Sequence, residues 1–138
     1  MKRIFIDTGP MISLLNKRDS HHLWATQRLN QMDEPMTIVT ASVTEVLFIL
    51  KRMGVTAAHF FNWVDEGILV VENPYPEKKE LIHRLYGKYS DIPVSFADIC
   101  LLAAAYSNSN VSVFTLDSDF LLFRNSKGKP LDLISPFA

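Results

Sequence analysis

The chain carries a single cysteine, Cys100, so no disulfide can close within it. That excludes a disulfide-stapled scaffold and fits a reducing cytoplasm. No Cys/His cluster is present. His21-His22 lacks the spacing of a zinc site and reads as a solvated helix start, and Cys100 reads as a small core residue. Long apolar runs are missing too. Stretches such as Val46 to Leu50 fall far short of the roughly 20 residues a membrane span needs. Lys2 and Arg3 precede no long apolar stretch or small-residue cleavage site, so no secretory leader is expected and the cytoplasm is the expected location. With a net charge of −1 there is no global electrostatic pull toward nucleic acid, although a local basic patch would suffice. Internal repeats, low-complexity tracts and linkers are absent.

What is present describes a folded chain. Its 138 residues are 48% hydrophobic and 21% charged, enough to bury a real core, and one domain spanning 1–138 is expected. Lys2 to Asp7 reads as a strand buried on both faces, because its apolar residues are contiguous. Pro10 suits the first turn of a short helix from Pro10 to Asn16. Ser20 is placed to cap a second helix reaching Met32, with Ala25, Leu29 and Met32 on one face. Glu34-Pro35 breaks it.

Met36 to Thr40 follows as a strand. A helix from Ser42 to Met53 opens on Ser42-x-x-Glu45, a capping-box spacing, and ends at Gly54. Thr56 opens the next helix, with Ala57, Phe60, Phe61 and Val64 at amphipathic spacing. Gly67 closes it, and Ile68 to Val71 is a strand. Glu77 to Tyr89 is helical with Ile82, Leu85, Tyr86 and Tyr89 on one side. Ser95 caps a strongly apolar helix to about Ser107. Val111 to Thr115 is a strand, Asp117 to Phe123 a short helix, and Leu131 to Ile134 a last strand. Alternating strands and helices predict a three-layer α/β sandwich around a mostly parallel sheet. Trp24, Trp63, Phe60 and Phe61 fall on amphipathic faces, where core or dimer packing is expected rather than base stacking.

The carboxylates carry the chemistry. Asp7 is the only charge between Ile4 and Asn16, Glu45 the only one from Met36 to Leu50, and Asp98 the only one from Pro93 to Ser109. Asp117 and Asp119 are the only charges from Asn110 to Phe123. Asp7 and Asp117 lie just past strand ends, and Glu45 and Asp98 in first turns of helices. In an open parallel sheet those places share one edge, where ligands bind. Each acid also admits a structural role: Glu45 and Asp98 complete capping boxes, and Asp117 caps the short helix after it. Together, however, they repel one another, and no Lys or Arg lies within their stretches. A hard divalent cation on oxygen ligands resolves that conflict. Mg²⁺ or Mn²⁺ in such a pocket suits phosphoryl chemistry, by activating a water and by stabilising charge on phosphate oxygens. Thr8 and Thr115, beside the acids, are placed to hydrogen-bond a ligating carboxylate, or else are simply polar strand ends. No convincing Ser or His nucleophile motif is present.

Taken in order, Asp7, Glu45, Asp98 and Asp117 resemble the acid set of PIN-domain proteins, above all the small ribonuclease toxins of VapBC-type toxin–antitoxin pairs. The resemblance rests on Ile4-Phe5-Ile6-Asp7-Thr8, Val43-Thr44-Glu45-Val46, Val94-Ser95-Phe96-Ala97-Asp98 and Val113-Phe114-Thr115-Leu116-Asp117-Ser118-Asp119-Phe120. It spans almost the whole chain. One departure is Ile99, where many relatives have Ala, a change that touches packing more than chemistry.

The resemblance implies strand order 3-2-1-4-5 and a Mg²⁺- or Mn²⁺-dependent endoribonuclease acting on RNA. It implies that Asp7, Glu45, Asp98 and Asp117 form the pocket, with Asp119 an accessory, and that the partners are a small antitoxin protein and a second copy in a homodimer. Within it, Asp7 and Asp98 are expected to be the core ligands, with Glu45 and Asp117 completing the pocket. Asp91 is expected to serve a turn. RNA phosphates need positive charge. Lys17-Arg18 and Lys51-Arg52 are candidates, because each pair follows a helix that begins near the acids; ordinary solvated helix ends are the alternative.

Three rival readings remain. Phe-Ile-Asp-Thr-Gly matches an element of aspartic peptidases, but those are β-rich and the helical periodicity here opposes them. A haloacid-dehalogenase-like phosphatase expects Asp-x-Asp after its first strand, where this chain has Gly9. A non-catalytic RNA- or protein-binding module of PIN fold, or a solitary RNA-processing nuclease, would keep the fold and change the role.

Overall fold

The computed structural model describes residues 2–137. Five short strands form one sheet: β1 (Arg3–Ile6), β2 (Met36–Val39), β3 (Leu69–Glu72), β4 (Val111–Phe114) and β5 (Asp132–Ile134). Their order is β3-β2-β1-β4-β5 and every pairing is parallel, as in Ile6 opposite Phe114 and Val39 opposite Glu72. The helices are α1 (Thr8–Leu15), α2 (His22–Asn30), α3 (Thr40–Arg52), α4 (Ala58–Asp65), α5 (Lys79–Lys88) and α6 (Phe96–Ala105), with a short 3₁₀ helix at Ser118–Leu122. This is the expected three-layer α/β sandwich, with the order 3-2-1-4-5 that the family resemblance implied.

The contiguous apolar residues of β1 divide by alternation. Ile4 and Ile6 pack with Met11, Leu14, Val46, Leu50 and Phe60 under α1 to α4, whereas Phe5 turns to the other face with Ile82, Leu85, Ile99 and Leu102 from α5 and α6. Burial on both faces is what a central parallel strand requires. Cys100 is buried in the second of these cores. Among the described residues no helix is long and apolar enough to cross a membrane.

Several local expectations are corrected. α1 begins at Thr8 rather than Pro10, because Asp7 itself caps it and accepts the Thr8 N–H at 2.8 Å. α2 begins at His22, and Ser20 does not cap it. Asp19 takes the neighbouring His21 N–H instead, and the Ser20 hydroxyl pairs with His21 Nδ1. β2 runs straight into α3 at Thr40, with Val39 at the cap position and no side-chain cap. No turn separates strand from helix, so Ser42 lies inside the first turn. Its buried hydroxyl has no partner, and the expected capping box with Glu45 does not form. Gly54, at φ 72°, closes α3 as expected, in the left-handed conformation that lets Val55 N–H reach back to Leu50 O at 2.9 Å. Tyr86 and Phe61 are about half exposed and do not join the core. Phe60 is buried, and Trp24 and Trp63 pack at its margin.

Candidate functional site

Four chain segments deliver acids to one cavity at the C-terminal edge of the sheet. Asp7 follows β1, Asp117 follows β4, and Asp98 sits at the third position of α6. Glu45 comes from the second turn of α3, one turn later than the sequence spacing suggested. Asp7, Glu45, Asp98 and Asp117 border one open cavity of about 350 Å³, together with Thr8 and Ser95. Asp119 does not border it; its backbone N–H donates to Asp117 Oδ1 at 2.9 Å. Clefts of about 500 and 530 Å³ lie elsewhere, and neither contains any of these acids.

Each carboxylate is held by a donor, and three of the four keep one oxygen free of hydrogen bonds. Thr8 bridges two acids, its N–H on Asp7 Oδ1 at 2.8 Å and its hydroxyl on Glu45 Oε1 at 2.7 Å. The buried Thr115 hydroxyl donates to Asp7 Oδ2 at 2.9 Å and accepts the Asp117 N–H at 3.0 Å. One hydrogen-bonded path therefore runs Glu45–Thr8–Asp7–Thr115–Asp117. Asp98 is held separately in a reciprocal box. Its Oδ2 accepts the Ser95 N–H at 2.9 Å, and its own N–H donates to Ser95 Oγ at 3.1 Å. Among the described residues, Glu45 Oε2, Asp98 Oδ1 and Asp117 Oδ2 receive no hydrogen bond. These three oxygens thus remain available for a ligand.

The electrostatics are those of crowded anions. Asp7 is 5% exposed, and its pKa is pushed up to about 7. Burial is the largest cause and the Asp98 charge the next; the Thr8 N–H and Thr115 hydroxyl pull the other way, and Asp117 adds a further push upward. Asp98 is raised as well, first by burial and then by the charges of Asp117 and Glu45, against the two Ser95 hydrogen bonds. No Lys or Arg borders the cavity, and none of these acids forms a salt bridge among the described residues.

Lys17 and Arg18 lie at the far end of α1, in a separate cleft with Met53, Val55 and His59. Lys51 and Arg52 occupy the last turn of α3. Both helices start at the acids and lead away from them. At about 1.5 Å per residue, α1 alone carries its end roughly 12 Å off, so neither basic pair faces the pocket. Sequence spacing identified Ser95 as a cap but not as a wall of the cavity. Its place three residues before Asp98 was the available signal.

The donor set suits a hard divalent ion: all oxygen, three atoms without hydrogen bonds, and anionic charge with no protein cation to offset it. Among the described residues no three His, Cys, Asp or Glu side chains are drawn close enough to hold an ion as they stand.

A buried parallel sheet in the order 3-2-1-4-5, with an acid pocket at its C-terminal edge, defines an α/β protein built to gather carboxylates from distant segments. The PIN domain family matches residues 4–125, and the chain belongs to that family. Among solved structures, the fold is similar to Mycobacterium tuberculosis VapC20, described as a sarcin-ricin loop cleaving toxin. The TM-score is 0.72 at 19% identity, over 84% of this chain and 91% of that one. It is also similar to a chain in a toxin–antitoxin complex from Klebsiella pneumoniae, with a TM-score of 0.64 at 19% identity, over 85% and 89% of the two chains. No curated protein matches the sequence.

Proposed function

We propose that this protein is a metal-dependent endoribonuclease, the toxin of a type II toxin–antitoxin pair, acting in the cytoplasm on RNA phosphodiester bonds. The observation that carries the reading is the uncompensated acid pocket in a PIN-family chain: four carboxylates, none salt-bridged among the described residues, three of them joined by threonine bridges and three with an oxygen to spare. The relatedness of its fold to structures named as toxins supports the toxin role. An antitoxin partner and a homodimer belong to the same proposal.

Asp7 and Asp98 would be the principal holders of Mg²⁺ or Mn²⁺, with Glu45 and Asp117 completing the set. When bound, the ion supplies electrophilic assistance to the phosphate and lowers the cost of forming a hydroxide nucleophile. The protein's own part is orientation and proton handling. Thr8 and Thr115 fix both oxygens of Asp7, and the Ser95 box fixes Asp98. Glu45 Oε2 is free to orient the attacking water and accept its proton while the water oxygen forms a bond to phosphorus. The phosphorus–oxygen bond to the leaving sugar breaks, and solvent protonates that oxygen.

The test is incubation of pure protein with a mixed RNA pool, with Mn²⁺, with Mg²⁺ and with EDTA, beside Asp7→Asn and Asp98→Asn. Metal-dependent cleavage that both variants lose is the expected result. Cleavage indifferent to metal, or equal in the variants, overturns the proposal. Co-purification with the product of a short neighbouring reading frame tests the toxin role, and the mass of the free protein in solution tests the dimer.

A further inference from the structure

The acid pocket presents a problem that its own residues do not solve. RNA is a polyanion, the pocket is anionic, and no Lys or Arg borders it. Apart from a bound ion, the cavity offers no side-chain cation to a phosphate, so an interaction independent of phosphate charge would add to substrate affinity.

An aromatic cluster begins one residue along the chain from the pocket's edge. Ser95 borders the cavity, and Phe96, the next residue, opens α6 and is 45% exposed. The Tyr75 ring, from the loop after β3, packs against Phe96 with centroids 5.6 Å apart and planes at 59°. Tyr75 also packs on the core beneath α5 and α6, which fixes its position. Its hydroxyl pairs with His83 Nε2 at 2.8 Å, and the two rings lie 5.7 Å apart. Lys79 stands one turn before His83 on the same side of α5.

Resting on the ribonuclease reading above, we infer that Phe96, braced by Tyr75, is a stacking platform for a nucleobase of single-stranded RNA next to the phosphate at the acids. Three features support this occupant. Phe96 directly follows Ser95, which borders the cavity, so its backbone lies about 3.8 Å from that residue, within the span of one nucleotide. The platform is a single exposed ring backed by the Tyr75–His83 pair, whereas a protein partner needs about 800 Å² per side. Stacking on an aromatic ring is also insensitive to the negative potential that opposes phosphate binding here. The platform thereby provides affinity at a place where charge provides none, and it restricts the substrate to unpaired RNA, whose bases can be splayed out.

The experiment measures binding of a short fluorescent single-stranded oligoribonucleotide in EDTA over a range of salt concentrations. Wild type is compared with Phe96→Ala and Phe96→Trp, and a 2-aminopurine-containing oligomer reports stacking directly. Phe96→Ala is expected to weaken binding by about 5- to 50-fold, to leave the slope of log Kd against log salt unchanged, and to abolish the quenching of 2-aminopurine. Phe96→Trp is expected to restore both affinity and quenching. An unaltered Kd in Phe96→Ala, or a weakened one without rescue by Trp, overturns the platform. If wild type cleaves RNA with metal while Phe96→Ala binds normally, only the platform fails. If wild type neither binds nor cleaves RNA, the ribonuclease reading fails and takes the platform with it.

Discussion

Two helices carry acids into the pocket, and they begin in opposite ways. α6 starts with a complete capping box, in which Ser95 and Asp98 satisfy each other's backbone N–H groups. α3 springs directly from β2 with no side-chain cap, and its nearby serine, Ser42, is buried with an unpartnered hydroxyl. Asp98 therefore serves both helix and pocket. Glu45 has no part in its own helix and is held from across the pocket by Thr8. A carboxylate can be aimed by its own helix or by a neighbouring segment, and the mutational signatures of the two should differ.

The largest expected effect sets aside that difference. Asp98→Asn and Glu45→Gln are each expected to lower metal-dependent RNA cleavage by about 100-fold or more, since removing one well-placed electrostatic group typically costs that much. Single-turnover rates measure it. Residual activity within a fewfold of wild type in either variant would remove that residue from the machinery.

The next effect concerns Asp7. Its folded pKa, about 7, lies above the ordinary 3.8. The folded state therefore binds more protons than the unfolded state between those values. Stability is greatest at the acid end of that window and is lost as pH rises through 7. In EDTA, the Asp7→Asn variant is expected to be more stable than wild type at pH 8 by about 2 kcal/mol, below the ceiling of about 4 kcal/mol that the shift allows because Asn fits the Thr8 and Thr115 donors less well. The advantage should shrink toward pH 5. Denaturant melts at the two pH values measure it, and a difference of the opposite sign would mean that Asp7 is not a strained anion. Saturating Mg²⁺ should reverse the ranking, because only wild type gains the ligand.

The smallest effects separate the two helix starts most directly. Ser95→Ala should cost about 1 kcal/mol, the usual loss for an N-cap. Ser42→Ala should be neutral or stabilise by up to about 1 kcal/mol, because it deletes a buried hydroxyl that has no partner. The same substitution, at two serines each three residues before an acid, is thus expected to give opposite signs. Equal destabilisation at both would mean that Ser42 has a capping role after all.

Much of this was legible along the chain, and the errors share a cause. The Ser95–Asp98 box was visible because a cap is local. The same spacing at Ser42 and Glu45 misled, because a serine three residues before a glutamate looks alike at a helix start and inside the first turn. The strand running straight into the helix decided between them. Lys17, Arg18, Lys51 and Arg52 were linked to the acids by helices that begin there, yet those helices lead away. Tyr75 and Phe96 belong to different elements, so no local spacing pairs them.

By itself, the sequence determined the alternation of strands and helices, the two-sided burial of β1 and the isolation of each carboxylate in an apolar stretch. These are properties of neighbours along the chain, and hydrophobic periodicity and capping act over about a turn. The tertiary structure alone decided which oxygens stay free, which donor holds Glu45, and which aromatic rings pack beside the start of α6. Thr115 reaches Asp7 across 108 positions of sequence because β1 and β4 pair in parallel and end side by side. A distance of that kind is set by strand register.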